Sequence, residues 1–478
     1  MIIPKTWAIT LALALTGSFA LAEDNSALLD LLVKKKVITE KDADSVRSEL
    51  DSQQADSSLN KLKLTDAVTS MTLGGDFKLR YQYQNQEQQL ANPGNNYQTS
   101  RWRYRLRLNA DFQVGPYFFG GVTLATGHTS DGNNQTFDNG FANSSIYINR
   151  AFIGWKPADW FVAKVGKQDN PFYTTDLVWD PDIRPAGLVE TISIDKFFGG
   201  SSTVEDKGLS KDGKSVATTH TVETKPKWTL ALNFGQFYYS DNNEYNSDSD
   251  SKTDAYIFGE QILASYDFGP AKVTFAPSAY LYNAASLTGF DNNVSFQDSA
   301  FVSGASRKLS VLTAPGDISF KVMGIPAKLY WDFAYNTQGH GRASDLYYLY
   351  NPYTSDGLTT IRLDHKTQDD LAWLAGIMIG QNKKAGDLSF LANFRQTGID
   401  AVDPNLNDSD FALGNLNTQG IKTGFTYNFT DAFTGSVCYM YAWNLRKDMY
   451  EGEAATIDQK IANGNNIQVL QVDLQLKF

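Results

Sequence analysis

The stretch RWRYRLRLNADF, residues 101–112, places an arginine at every second position. The four arginines are Arg101, Arg103, Arg105 and Arg107, and between them stand Trp102, Tyr104, Leu106 and Leu108. The chemistry that such a row offers is electrostatic, because a line of fixed positive charge filters ions by sign and orients dipolar solutes. The first question is which element could present the row on one face.

Only a β-strand keeps these arginines together. On a helix they would spread around the whole circumference, whereas successive side chains of a strand point to opposite faces. One face is then cationic and the other apolar. In a soluble sandwich the apolar face would be the core; in a membrane barrel it would meet lipid, and the arginines would line the lumen.

Other motifs that could do chemistry lack the context that they need. Residues 208–215 read GLSKDGKS and match the phosphate-binding pattern G-x-x-x-x-G-K-S, but neither a buried strand before them nor a helix after them is predicted. The four histidines lie far apart in predicted links, and no G-x-S-x-G elbow occurs. We therefore predict no catalytic residue, no metal site and no cofactor, and the protein is predicted not to be an enzyme.

The beginning of the chain has the pattern of an export signal. Lys5 precedes an apolar run, and Ala20 and Ala22 form the A-x-A pattern of a cleavage site. We predict a signal peptide over residues 1–22, the alternative being an uncleaved signal anchor. Residues 23–63 are predicted to form a periplasmic segment of two short helices and a polar linker, since leucines recur there with helical spacing.

Bulk properties narrow the class of protein. After the signal no apolar stretch of about 18 residues occurs, so any membrane crossing must come from strands. Cys438 is the single cysteine, so no internal disulfide can form, and the aromatic content of 13% suits the interfacial girdles of a barrel. The formal net charge of -11 argues against a nucleic-acid partner.

From residue 72 the hydrophobic period becomes two, which is typical of strands with one apolar face. About 16 segments follow, an even number, with lengths near those that tilted strands need to cross a bilayer. The predicted strands are 72–84, 101–112, 117–126, 145–156, 160–168, 187–197, 228–239, 255–267, 271–283, 317–322, 327–336, 371–380, 388–397, 420–429, 433–446 and 466–478. The sequence thus predicts an all-β fold, a transmembrane antiparallel β-barrel over residues 64–478.

Short links alternate with long links rich in Asn, Asp, Ser and Gly, as periplasmic turns and outer loops do in such barrels. Residues 198–227 break this alternation, because a long link falls where a short turn is expected. It is predicted to be either a periplasmic insertion or an additional hairpin near residues 215–222, which would raise the strand number to 18.

The last strand carries an apolar stripe that ends at Phe478, and the stripe comprises Leu470, Val472, Leu474, Leu476 and Phe478. It resembles the end-signal that the barrel-assembly machinery of bacterial outer membranes reads. We therefore predict that Phe478 is an assembly signal.

With residues 165–190, VGKQDNPFYTTDLVWDPDIRPAGLVE, added to the arginine strand and the terminal phenylalanine, the chain resembles the putative porin family of Gram-negative outer membranes. That family is related in style to the general and phosphate-selective porins. The opening LLVKKKVITEKDADSVRSEL also looks like the family's amino-terminal helical segment.

The resemblance implies a homotrimeric, water-filled pore of 16 strands whose third outer loop folds inward as a constriction. That loop would cover residues 169–186. Its ionisable candidates are Asp169, Asp176, Asp180, Asp182 and Arg184. Its length and its content of proline and aromatic residues predict a packed shape.

Alternation along the strands assigns the side chains expected to line the pore, which are Lys78, Arg80, Arg101, Arg103, Arg105, Arg107, Arg150 and Lys164. Opposite the acids of the loop, they would create a transverse field. We expect an outer-membrane porin for passive diffusion of small hydrophilic solutes and ions, with lipid, lipopolysaccharide and the barrel-assembly machinery as partners. The alternatives are a surface receptor or adhesin barrel and an outer-membrane barrel hydrolase.

Overall fold

The computed structural model describes residues 65, 67–86, 97–127, 132–137, 143–198, 202–209, 215–222, 227–240, 254–283, 301–303, 309–343, 347–350, 358–361, 366–446 and 466–478. The predicted signal and helical segment at residues 1–63 lie outside the described residues. The strands belong to a unit that spans Val68–Phe478.

Sixteen strand positions follow one another along this unit, and each is antiparallel to its neighbours. They are β1 (Val68–Gln86), β2 (Tyr97–Val114), β3 (Phe118–Ala125, continued by Gln135–Thr136), β4 (Tyr147–Ala158), β5 (Phe161–Lys167), β6 (Ala186–Ser193), β7 (Trp228–Ser240), β8 (Ala255–Asp267), β9 (Ala271–Phe275 and Ser278–Tyr282), β10 (Ser310–Thr313 and Gly316–Val322), β11 (Ile325–Asn336), β12 (Leu371–Gly380), β13 (Leu388–Thr397), β14 (Thr418–Asn428), β15 (Phe433–Asn444) and β16 (Ile467–Lys477).

The sheet closes on itself, because β1 pairs with β16 as well as with β2. Tyr81 lies opposite Trp102 on one side and opposite Val472 on the other. Closure leaves no edge strand, which is what lets strands cross a bilayer without unpaired backbone groups. The predicted barrel of 16 strands is confirmed. The alternative of 18 is wrong: Ser202–Leu209 and Ser215–Val222 pair with each other in a separate two-stranded sheet.

Prolines explain why β9 and β10 are each split. Pro277 and Pro315 have no N–H to donate to a ladder. Their carbonyl groups still accept, from the amides of Ile262 at 3.1 Å and Ala276 at 2.9 Å respectively. The register therefore continues unchanged across both interruptions.

The two faces of the barrel differ as the period of two predicts. On β1, Phe77 is 43% exposed on the outer face, whereas its neighbour Lys78 is 7% exposed on the inner face. Large apolar side chains such as Trp102, Leu108 and Ile153 are likewise exposed on the outside. Because apolar side chains exposed all round a closed barrel are stable only in a lipid environment, this surface suits a membrane.

Little helix accompanies the strands in the described residues. There are two α-helical turns, α1 (Ile194–Phe197) and α2 (Gly339–Ala343), and two 3-10 turns (Thr367–Asp370 and Phe411–Gly414). The strand predicted at 187–197 ends at Ser193, and α1 begins at the next residue, Ile194. None of the described helices is long and apolar enough to cross a membrane. Three short strands, Phe301–Ser303, Tyr347–Tyr350 and Leu358–Ile361, form a further small sheet.

Strand connections alternate in length around the barrel, except that the long link at 194–227, between β6 and β7, falls among the short ones. The links at 115–117, 159–160, 268–270, 323–324, 381–387 and 429–432 are short and lie at one end. The links at the other end are longer. Two of them, the third loop (residues 168–185) and the seventh loop (residues 398–417), are described throughout and pack inside the barrel.

Candidate functional site: a constriction in the barrel lumen

Apolar packing fixes the third loop to the inner wall. Phe172 and Trp179 are buried and contact Phe237 and Tyr280 of β7 and β9, with ring centroids 5.5 to 6.0 Å apart. Gly259 of β8 makes room for this contact, because a Cβ atom there would lie 2.4 Å from the ring of Phe172. The loop therefore has the packed shape that its prolines and aromatic residues predicted.

Hydrogen bonds to the wall add to this anchor. The amide of Tyr173 donates to Gln261 at 2.9 Å, and Gln261 donates back to the carbonyl group of Tyr173 at 2.8 Å. The hydroxyl groups of Tyr173 and Thr175 donate to Asp317 at 2.5 Å and to Asp332 at 2.7 Å. The loop is thus tied to β8, β10 and β11 on one side of the lumen.

The seventh loop lies against the third loop. Ile399, Ala401, Val402 and Leu406 are buried in the same apolar cluster as Trp179. Asp180 accepts hydrogen bonds from the amide (3.1 Å) and the hydroxyl group (3.0 Å) of Ser409. The amide of Asp180 donates to the carbonyl group of Leu406 at 2.6 Å. The two loops thus form one inward projection.

The far end of the seventh loop is held in an unusual backbone conformation. Ala412 and Leu413 have φ angles of 51° and 56°, in the left-handed region that residues other than glycine rarely adopt. Ala412 is buried with Phe411 and Met440 in a second apolar cluster. Since such strain persists only when packing enforces it, the contacts of this cluster hold the far end of the loop in place.

Four charged side chains meet where the loops contact β13 and β14; Arg395 and Asp408 are buried, and Asp176 and Lys422 are partly buried. Arg395 donates to Asp176 at 2.8 Å and to Asp408 at 3.0 Å, and Lys422 donates to the same two carboxylates at 2.7 and 2.9 Å. Burial alone would raise the pKa of Asp176, but the positive charges of Arg395 and Lys422 hold it well below its usual range. The charge of Asp176 is therefore balanced locally and does not simply oppose the arginine strand.

Basic side chains of β1 and β2 line the opposite wall. Arg105 and Arg107 both donate to Asp76, at 2.8 and 2.6 Å. The guanidinium group of Arg80 donates to both carboxylate oxygens of Asp473 on β16, at 2.8 and 2.9 Å. The wall is therefore a network of ion pairs, and two of the predicted arginines, Arg80 and Arg105, are 7% and 6% exposed within it.

Acids of the loops approach this basic wall closely. Asp182 of the third loop has a carboxylate oxygen 3.9 Å from Arg105 and 4.0 Å from Arg107, beyond hydrogen-bond distance. Asp410 of the seventh loop is 3.2 Å from Arg80. Here oppositely charged surfaces from the loops and from β1 and β2 come closest, which defines the constriction.

The remaining predicted residues lie elsewhere on the inner surface. Arg150 of β4 donates to Asp111 at 2.7 Å and to Asp169 at 3.2 Å, and Arg184 donates to Asp169 at 2.8 Å. Lys164 lies over the ring of Phe152, 5.7 Å from its centroid. The structure thus separates Arg150, Lys164, Asp169 and Arg184 from the pairing of Asp182 with Arg105.

Burial changes the protonation of one acid at the constriction. Burial raises the pKa of Asp180 to about 7, and the negative charge of Asp408 adds to this increase. The hydrogen bond that Asp180 accepts from the amide of Asp182 acts in the opposite direction and lowers the pKa. Asp180 therefore titrates near neutral pH, and the charge of the projection depends on pH.

Sequence reasoning missed the contribution of the seventh loop. Asp408 and Asp410 belong to DPNLNDSDF, residues 403–411, whose density of acid and asparagine resembled that of an ordinary outer loop. It also missed Asp76 and Asp473, the partners of the arginines. For Asp76 and Asp473, the available signal was an acid at an inward-facing, alternate position of a strand.

Neither the glycine-rich motif nor the acidic and histidine residues of the described part of the chain have the structural context of a phosphate or metal site. Gly208–Ser215 is followed by a strand, Ser215–Val222, and not by the helix that a phosphate-binding loop requires. Among the described residues, no group of three or more His, Cys, Asp or Glu side chains could hold a metal ion.

A closed barrel with an apolar outside and a charged, loop-narrowed inside is the architecture of a membrane channel. The chain belongs to the putative porin family, whose model matches residues 46–311. No curated protein sequence matched it. Similar solved structures include OmpF of Salmonella typhi in complex with daunomycin (13% identity, 87% of this chain and 100% of that one, TM-score 0.44) and Pseudomonas putida OprB at high pH (10% identity, 90% and 97%, TM-score 0.47). An anion-selective porin from Comamonas acidovorans is also similar (12% identity, 86% and 99%, TM-score 0.40).

Family membership and the closed barrel identify a channel for passive diffusion in a Gram-negative outer membrane, as the sequence predicted. The receptor or adhesin alternative is not favoured. The family and the fold are those of a channel rather than of an enzyme.

Proposed function

We propose that the constriction between the loop projection and the basic wall sorts solutes by charge. The observation that carries this proposal is the approach of the carboxylate of Asp182, on the loop projection, to Arg105 and Arg107 of the basic wall, at 3.9 and 4.0 Å. Opposed rows of fixed charge produce a field across the pore, and a dipolar solute passes most easily when it aligns with that field.

In this proposal the basic residues have two kinds of role. Arg101 and Arg103 present charge to passing solutes, whereas Arg80, Arg105 and Arg107 also join neighbouring strands and loops through Asp473, Asp410 and Asp76. Lys78, Arg150 and Lys164 add positive potential along the wall. In the third loop, Asp182 contributes the opposing charge directly, and Asp169, Asp176, Asp180 and Arg184 shape and hold the loop.

The wider setting of the channel is also a proposal. We infer a homotrimer in contact with lipid and lipopolysaccharide, exported with a signal peptide over residues 1–22 and assembled through recognition of Phe478. A periplasmic segment at 23–63 would precede the barrel at 64–478. Crosslinking of the membrane-embedded protein would show three copies, and amino-terminal sequencing of the purified protein would start at residue 23.

Single-channel recording in a planar bilayer tests the charge-sorting proposal. Under a salt gradient the wild-type channel should show stable, ohmic steps with a reversal potential that depends on Asp182. Asp182→Asn should move the reversal potential toward anion preference. Asp159→Asn, in a short turn outside the lumen, is the matched control and should leave it unchanged. Equal reversal potentials for Asp182→Asn and wild type would contradict the proposal.

A further inference from the structure

A cavity of about 400 Å³ lies beside the constriction, toward the end of the barrel that carries the long loops. One wall comes from β1 and β2, with Gln82, Gln84, Arg101 and Arg103. The other wall comes from the tips of the third and seventh loops, with Asp180, Asp182, Asp408 and Asp410; Asp176 and Lys422, which pair with each other, also line the cavity. The volume falls in the range of specific small-molecule sites, about 300 to 1,000 Å³.

The cationic wall is held in place by side chains and backbone around it. Arg103 donates to Gln82 at 3.2 Å and to the carbonyl group of Asn134 at 3.1 Å, and Arg101 donates to Gln84 at 3.3 Å. A guanidinium group oriented in this way is suited to a carboxylate, which accepts two parallel hydrogen bonds from it.

The anionic wall offers acceptors for a cationic group. Among the described residues no donor makes a hydrogen bond to the side chain of Asp182, and its nearest cations are 3.9 and 4.0 Å away. The side chain of Asp410 remains 36% exposed although it is 3.2 Å from Arg80. An ammonium group, with three donors and a full charge, is the kind of group that such carboxylates accept hydrogen bonds from.

The lining disfavours other solute classes. A simple anion would meet Asp182 and Asp410, and a simple cation would meet Arg101 and Arg103. No aromatic side chain is among the described residues that line the cavity, so it lacks an apolar face on which a sugar ring could pack. A molecule that carries both charges satisfies both walls.

We propose that this cavity binds small zwitterions with one carboxylate and one ammonium group, the chemistry of a free amino acid, so that their passage saturates. The carboxylate lies against Arg101 and Arg103 and the ammonium group against Asp182 and Asp410. This inference rests on the proposed charge-sorting constriction, and it adds a bound state to what would otherwise be free diffusion.

The experiment uses the full-length channel in planar bilayers and in liposomes, with L-serine as the probe. Lactate, ethanolamine and glycerol are controls of similar size that are anionic, cationic and neutral. Serine should block the ion current in a concentration-dependent, saturable manner, and its uptake into liposomes should level off while that of glycerol stays linear. The three controls should block at least about tenfold more weakly, since each loses a charge-assisted contact.

Two variants test the two walls separately. Arg103→Gln and Asp182→Asn should each weaken the block by serine about tenfold, and the block by lactate or ethanolamine should respond to only one of them. Asp159→Asn should leave the block by serine unchanged. Linear serine uptake and no block, in channels that still show ohmic steps and a reversal potential sensitive to Asp182, would overturn the zwitterion site and leave charge sorting intact. Loss of that sensitivity as well would overturn both.

Discussion

Asp180 of the third loop and Ser409 of the seventh loop are joined by two hydrogen bonds, from the amide at 3.1 Å and the hydroxyl group at 3.0 Å of Ser409 to the same carboxylate oxygen. The residues are far apart in sequence, and the contact makes the two loops one body. Motion of either loop therefore moves acids of both toward or away from the basic wall.

The first prediction concerns pH. The pKa of Asp180 is raised to about 7, so its protonated form is favoured in the folded channel. An acid whose pKa is raised by folding contributes to the free energy of unfolding at low pH, where it is protonated, and that contribution is lost as the pH rises through 7. Between about pH 6 and pH 8, ionisation adds a negative charge to the projection, and the reversal potential should move toward cation preference.

Asp180→Asn should abolish this step and hold the channel at its low-pH selectivity. Asp387→Asn, in an exposed short link, is the control and should keep the step. A titration with a midpoint near pH 7 that persists in Asp180→Asn would assign it to another group.

The second prediction concerns the arginine strand. Arg103→Glu should give folded channels whose reversal potential moves toward cation preference, because Arg103 lines the cavity and hydrogen-bonds the neutral groups of Gln82 and Asn134. The shift should shrink at high salt, since the Debye length falls from about 10 Å at 0.1 M to about 3 Å at 1 M.

Two matched variants of the same strand separate charge from position. Arg105→Glu should reduce the yield of folded barrel, because Arg105 is buried against Asp76 and the new carboxylate would face that acid. Leu106→Lys, on the outer face, should impair insertion by about 2 to 4 kcal/mol and leave the selectivity of surviving channels unchanged. Altered selectivity in Leu106→Lys with normal assembly would mean that the faces are reversed.

The strand pattern was predictable from sequence because period two is a local property. Each predicted strand overlaps a strand of the barrel, and the strand at 187–197 is predicted four residues too long because Ile194–Phe197 forms a helical turn. The proline break in β9 did not interrupt the strand predicted at 271–283, whereas the strand predicted at 317–322 omits Ser310–Thr313, the part of β10 before its break at Pro315.

The constriction was only partly predictable because it depends on contacts between distant segments. The packed shape of the third loop was predictable from its length and its aromatic residues. The inward path of the seventh loop was not predictable, since it rests on the contacts of Asp408 with Arg395 and Lys422 and of Ser409 with Asp180. A row of alternating arginines likewise gives no sign of which members are paired with a carboxylate on the next strand.

The third prediction concerns the carboxyl terminus. Phe478 is bonded to Gly75 in both directions, with N–O distances of 2.7 and 3.1 Å, and its side chain is exposed. Removing Phe478 should reduce outer-membrane assembly and leave export intact, because the export signal and the last strand act at different steps. Phe478→Trp, which keeps an aromatic end, is the control. Normal membrane yield after the deletion would contradict the assembly role.

The last prediction uses the single cysteine as a reporter of the seventh loop. Cys438 packs against the cluster of Phe411 and Ala412, so a thiol reagent in the lumen should reach it mainly when the loop leaves the wall. Arg395→Met leaves Asp176 and Asp408 with Lys422 alone. Breaking a buried ion pair costs about 3 to 5 kcal/mol, so if even the lower figure applies to loop docking, labelling of Cys438 should accelerate on the order of a hundredfold.

Arg395→Met combined with Asp408→Asn leaves one acid, Asp176, with one base, Lys422, so the charges balance again. This double variant should slow the labelling of Cys438 again. Both variants should migrate in SDS gels as the wild type does, with the same difference between heated and unheated samples. This result would show that the barrel itself is closed in the variants. If labelling in Arg395→Met matches the wild type, the four-charge cluster does not hold the seventh loop, and the apolar contacts of Ala412 and Phe411 suffice. If the double variant labels as fast as the single one, the loss of Arg395 acts through its packing over Phe411, 4.5 Å from the ring centroid, and not through charge balance.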